Sequence, residues 1–136
     1  MITKRFLNDL VYQVNGAAIE VHRALGPGLL ESVYHNCMKH ELGLRGLAFV
    51  SELVVPVQYK GVDIQTRLRC DLYVEECLVV ELKAVEHILP VHEAQILTYL
   101  QLLESAKGLL INFNVSNIFK EGQRTFVTEQ YRGLPD

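Results

Sequence analysis

Leu10, Val14, Ala17, Ala18, Val21 and Leu25 recur at intervals of three and four, which predicts an amphipathic helix from about Lys4 to Ala24. Gly26-Pro27-Gly28 ends it, and a second helix is expected from near Leu29, carrying Leu30, Val33, Cys37, Met38 and Leu42 on its apolar side and stopping at Gly43. The period then changes to two. Phe49 to Tyr59 favours strand, with Pro56 marking an edge or a bulge, and Gly61 turns the chain into a longer strand. On that strand Val62, Ile64, Leu68, Cys70, Leu72 and Val74 hold the even positions, as Leu78, Val80, Leu82 and Ala84 do on the next. Pro90 opens a third helix, with Ile96, Leu97, Leu100 and Leu103 as its buried stripe. Gly108 to Phe113 is continuously apolar and suits a sheet interior, Phe119 to Val127 reads as a last hairpin or edge strand, and residues 128–136 read as a tail.

The two even-numbered sets fix how their strands pair. Side chains alternate between faces, so a hairpin that places both apolar sets on one face must pair even with even, and its loop must have an odd number of residues. With Glu75, Glu76 and Cys77 as a three-residue turn, Val74 faces Leu78, Leu72 faces Val80, Asp71 falls opposite Glu81 and Arg69 opposite Lys83. A two-residue Glu-Glu turn would separate the acids and lacks the Gly or Asn such turns need. Opposed residues have Cβ atoms roughly 4.5–5.5 Å apart, which suits two carboxylates sharing a hard cation and disfavours two bare ones. The bland alternative is an ion pair of Asp71 with Arg69 or Lys83 on a solvated sheet face.

At 136 residues and 49% hydrophobic content the chain is expected to form one domain, core about 4–127, that buries about two-thirds of its unfolded surface. Cys37, Cys70 and Cys77 are odd in number and lack CxxC spacing, which argues against a disulfide framework or a zinc site and for reduced thiols in the cytoplasm. The N-terminus has no signal-peptide stretch and no run approaches a membrane span. A net charge of −3 argues against a protein that coats nucleic acid, and Arg67, Arg69, Lys83, Lys107, Lys120 and Arg124 are the candidates for a thin phosphate-facing patch.

Two helices add polar groups. Glu31 lies in the first turn of the second helix, on the side of Tyr34 and His35, where the helix dipole alone would favour a solvated glutamate. His92, Gln95 and Tyr99 share a face of the third helix, where they could bind a phosphate, a base edge or water, or could simply be its polar outer side. His92-Glu93 fails as a zinc-protease motif because Ile96 stands where the second histidine is needed.

Taken together, Gly28-x-x-Glu31-x-x-Tyr34, Asp71, Glu81-x-Lys83 and Gln95-x-x-x-Tyr99, in that order and on those elements, resemble the GxxExxY family of the PD-(D/E)XK nuclease superfamily. Cys70 stands where the superfamily name has proline, a departure that removes no ligand. The resemblance implies an α/β (α+β) restriction-endonuclease-like fold: a three-layer core with a mixed central sheet flanked by helices. It implies a nuclease cleaving DNA or RNA, with Mg²⁺ or Mn²⁺ held by Asp71 and Glu81, the Leu82 carbonyl as a further ligand, and Glu31 completing the acidic cluster directly or through water. Lys83 would orient or help deprotonate the attacking water, and Gln95 and Tyr99 would position the nucleophile or the strand. The acidic balance and small size also fit a module that keeps the fold without turnover, or an enzyme that takes its specificity from a homodimer or a protein partner.

Overall fold

In a computed structural model, which describes residues 2–136, Thr3 caps the first helix by accepting a hydrogen bond from Phe6 N at 3.0 Å. Helix α1 spans Lys4–Leu25 and ends at Gly26, whose φ of 70° a side chain would disfavour. Helix α2 (Glu31–Leu44) folds back beside it. Five strands form the main sheet: β1 (Phe49–Val54), β4 (Arg69–Val74), β5 (Leu78–Lys83), β6 (Lys107–Asn112) and β7 (Gln123–Val127), in the order β1-β4-β5-β6-β7. Strands β2 (Val57–Tyr59) and β3 (Val62–Ile64) make a separate two-stranded ribbon.

All neighbours in the main sheet are antiparallel except β5 and β6, which are parallel and joined by the crossover helix α3 (Pro90–Leu102). A parallel pair needs such a crossover, and helices then cover both faces. Helices α1 and α2 cover one face, packing Leu7, Val14, Tyr34, Met38 and Leu42 on Leu72, Leu78, Val80, Leu82, Leu109 and Ile111. Helix α3 covers the other, packing Ile96, Tyr99 and Leu100 on Cys70, Val79 and Leu110. Every residue of β6 is buried, as a central strand between two helical layers must be. The result is the three-layer architecture with a mixed sheet expected from the sequence.

Several details differ from expectation. The buried line of α2 is Tyr34, Met38 and Leu42, one residue every four, and Leu30 is 75% exposed ahead of the helix. On α3, Tyr99 takes the core position and Leu97 is 40% exposed, because the stripe that meets the sheet is Ile96, Tyr99 and Leu100. Cys70 lies in the α3-side core while Leu72 lies in the opposite one, so face alternation breaks at Asp71. Glu52, opposite that break on β1, has φ of 55°. The residues expected as a tail contain a short helix, α5 (Glu129–Arg132), and Tyr131 and Leu134 pack on the core. Tyr131 also receives Lys107 over its ring at 4.7 Å. A four-residue helix, α4 (Ile118–Glu121), precedes β7 as the last edge strand. No helix among the described residues is long and apolar enough to cross a membrane.

Candidate active site

The β4–β5 hairpin adopts the register that hydrophobic alternation predicts, with Leu72 opposite Val80 and Val74 opposite Leu78 across the turn Glu75-Glu76-Cys77. Regular backbone pairing stops one step further on. There Asp71 N donates to Glu81 Oε2 at 3.1 Å, and Leu82 N donates to Asp71 Oδ2 at 2.8 Å. Two carboxylates have taken the place of main-chain carbonyls in the ladder. This satisfies the backbone donors and draws both acids together between the strands.

Glu81 is only 3% exposed. Burial above all, and then the hydrogen bond and charge of Asp71, push its carboxyl well above the ordinary range, while Lys83 offsets only part of the effect. Lys83 follows two residues later on β5, half-buried, on the strand face that Glu81 occupies. Cys70, next to Asp71, is an inert core thiol, its pKa pushed up to about 12 mainly by burial and next by the nearby Glu81.

Glu31, exposed at the first position of α2, lies near enough to feel the charges of Asp71 and Lys83 without contacting them, and Tyr34 fixes the turn it stands on. The Tyr34 ring is fully buried and stacks on Phe113 at 4.5 Å and 8°. Its hydroxyl donates to Gly26 O at 2.6 Å and accepts from Leu29 N at 3.2 Å, tying the α1–α2 connection to the first turn of α2. The tyrosine of the Gly-x-x-Glu-x-x-Tyr motif is therefore a structural anchor that sets where Glu31 begins the helix. The Glu31 carboxyl is raised by burial and then by the Asp71 charge, with Lys83 and His35 pulling it back. His35 is itself fastened to β1, through a 2.9 Å hydrogen bond between Nε2 and Ser51 Oγ.

On α3, Gln95 Nε2 donates to Tyr99 Oη at 3.2 Å. Tyr99, 4% exposed, has its hydroxyl raised by burial first and then by the charge of Glu81. Gln95 is the half-exposed member of the two. His92 is occupied elsewhere, its Nδ1 accepting from Leu89 N at 3.0 Å to cap α3.

Sequence reasoning overlooked Asn112, a buried amide at the end of β6. Its Oδ1 accepts from Val85 N and Asn114 N, and its Nδ2 donates to Val85 O, so it clamps the chain just past Lys83. A lone polar residue inside the apolar run Gly108–Phe113 was the available signal. The basic patch is also smaller than expected: Lys107 is buried against Asn8 and Tyr131, and Arg124 pairs with Glu93 at 3.0 Å.

The donor chemistry fits a hard divalent ion. Asp71 and Glu81, each accepting one backbone N–H and turned toward one another, offer carboxylate oxygens to such an ion, which would replace the proton that burial and Asp71 otherwise keep on Glu81. Among the described residues, no three His, Cys, Asp or Glu side chains close into a metal cage, so Glu31 senses the pair without joining it as a third convergent group.

Helices on both faces of a mixed five-stranded sheet, with an acidic pair at the open end of its central hairpin, define an α+β domain of restriction-endonuclease-like fold. The family model described as the PD-(D/E)XK nuclease superfamily matches residues 8–125, and the chain belongs to that superfamily. No curated protein and no solved structure matches the chain.

Proposed function

We propose that the chain is a Mg²⁺- or Mn²⁺-dependent nuclease that hydrolyses phosphodiester bonds in nucleic acid, and that it belongs to the GxxExxY branch of its superfamily. The observation that carries this reading is the Asp71–Glu81 pair, two acids held together by Leu82 N and Asp71 N at the end of a broken ladder. Asp71, Glu81 and the Leu82 carbonyl are the residues to hold the ion, with Glu31 acting through water. When bound, such an ion lowers the pKa of a coordinated water and polarises the scissile phosphate.

The protein's own side chains do the rest. Lys83 brings a fixed cation to the face of β5 that carries Glu81, where it orients the nucleophile and meets negative charge as it develops. Gln95, held by the buried Tyr99 hydroxyl, offers the half-exposed amide that positions the nucleophile or the strand. The three unpaired cysteines fit a reducing, cytoplasmic setting. Specificity is left to surfaces outside this cluster, including a partner or a second copy.

Labelled single- and double-stranded DNA and RNA, incubated with Mg²⁺, Mn²⁺ or EDTA, test the reading. Cleavage that requires metal and disappears in Asp71→Ala and in Lys83→Ala supports it. Binding without cleavage in wild type and both variants would instead identify a nuclease-fold module without turnover.

A further inference from the structure

The β1–β4 pair extends past the acidic site into an arm. Val55 N donates to Leu68 O at 3.1 Å, and beyond Pro56 on one side and residues 65–67 on the other the chain pairs again as β2–β3, with Val57, Gln58 and Tyr59 opposite Ile64, Asp63 and Val62. Lys60 and Gly61 close the tip, both with positive φ (49° and 82°), the backbone of a tight two-residue hairpin turn. From Val55 to Lys60, five residues at about 3.3 Å each, the arm reaches about 17 Å. Its base, Arg69, is two residues from Asp71.

Nothing in the core explains the sequence of this arm. The cross-strand pairs put Val57, Tyr59, Val62 and Ile64 on one face, and Tyr59, Val62 and Ile64 are all exposed. Its charge also runs against the rest of the molecule. Lys60, Arg67 and Arg69 are exposed, and none is ion-paired among the described residues. The one acid of the arm, Asp63, is engaged by Gln58 Nε2 at 2.7 Å, in a chain whose net charge is −3. Lys60 Nζ lies 5.3 Å from the centre of the Tyr59 ring, which joins an aromatic surface and a cation at the tip.

We propose that this ribbon is a DNA-docking arm that enters the major groove of a B-form duplex, while Arg67 and Arg69 at its base hold phosphates on the approach to Asp71. A two-stranded ribbon fits that groove, about 12 Å wide, whereas the major groove of A-form RNA is too narrow for side chains to read. Val62 and Ile64 supply apolar contact of the kind thymine methyl groups accept. The assignment of duplex DNA as substrate rests on the nuclease reading above; the docking itself does not.

Fluorescence anisotropy in Ca²⁺ with labelled duplex DNA, duplex RNA and single-stranded DNA tests it on the full chain, with Tyr59→Ala and with the triple variant Lys60→Ala, Arg67→Ala, Arg69→Ala. The expected result is tightest binding to duplex DNA, weakened about tenfold or more in the triple variant with a shallower salt dependence, and an unchanged thermal melt. Equal binding by wild type and triple variant, or duplex RNA bound as tightly as duplex DNA, overturns the proposal. So does a dimer, seen by light scattering, that the arm variants dissociate, because the ribbon is then a self-association surface. Metal-dependent cleavage that arm variants retain with unchanged KM overturns the arm and leaves the nuclease reading standing; arm-dependent DNA binding without cleavage in any metal supports the arm and overturns that reading.

Discussion

The two ends of the β4–β5 hairpin are built from similar residues and do opposite things. At the turn end, backbone pairing runs to Val74 and Leu78, Cys77 N donates to Val74 O at 3.1 Å, and Ser105 Oγ donates to Cys77 O at 2.5 Å. A cavity of about 420 Å³ opens there, lined by Leu7, Tyr73, Cys77, Ala106 and Leu134 among others, and the Cys77 thiol is pushed up to about 11, chiefly by burial. At the open end, Asp71 and Glu81 replace main-chain acceptors, and an acid, Glu81, is buried at 3% exposure. None of the seven candidate residues, Glu31, Asp71, Glu81, Leu82, Lys83, Gln95 and Tyr99, lines the cavity at the turn. Concavity and candidate chemistry are thus separated along one hairpin.

Tyr34→Ala removes the stacked ring that sets the position of Glu31, and is expected to cost about 3–5 kcal/mol in urea unfolding. Tyr34→Phe keeps the ring and is expected to cost about 1–3 kcal/mol, since Gly26 O and Leu29 N lose their partner. Asp71→Ala and Lys83→Ala are expected to lower kcat by about 10²–10³-fold in single-turnover cleavage assays, while Glu76→Ala at the turn leaves it within about twofold.

A pH series sharpens the contrast through Glu81. Its carboxyl is raised in the folded protein toward about 9, so without metal the folded state holds a proton that the unfolded chain has released. That stability is fully present below the ordinary glutamate range and is lost as pH rises toward about 9, so the melting temperature in EDTA should fall across this window. Mg²⁺ should reverse the trend at neutral and higher pH, and Glu81→Gln should flatten the decline and abolish the metal response. Smallest is Ser105→Ala, expected to cost about 1–2 kcal/mol through the unpartnered Cys77 carbonyl, with no change in turnover.

Much of this was legible in the sequence because alternation with period two is unambiguous when one face is buried: the even positions of Leu72, Val74, Leu78 and Val80 dictated the pairing of Leu72 with Val80 and Val74 with Leu78, beyond which Asp71 and Glu81 meet through side-chain bonds to the backbone. The same logic misplaced Cys70, since alternation assumes an unbroken ladder and the carboxylates break it. On the helices, composition hid the contacts. Tyr34 and Tyr99 were left out of the predicted apolar stripes, yet each satisfies its hydroxyl within its own helix region and buries its ring against residues remote in sequence, Tyr34 on Phe113 and Tyr99 among Cys70, Val79 and Leu110. Asn112 stood out as a lone polar residue in an apolar run, but its partners Val85 and Asn114 are set by the fold, as are Asn8 and Lys107 beside Tyr131.

Asp71 and Glu81 are expected to grip one hard divalent cation between them. Crystals grown with Mn²⁺ and measured at its absorption edge test this directly. The expected result is an anomalous peak within carboxylate bonding distance of both side chains, absent in Asp71→Asn. Full Mn²⁺ incorporation at some other place, with these two acids still bonded only to each other and to the backbone, would contradict it.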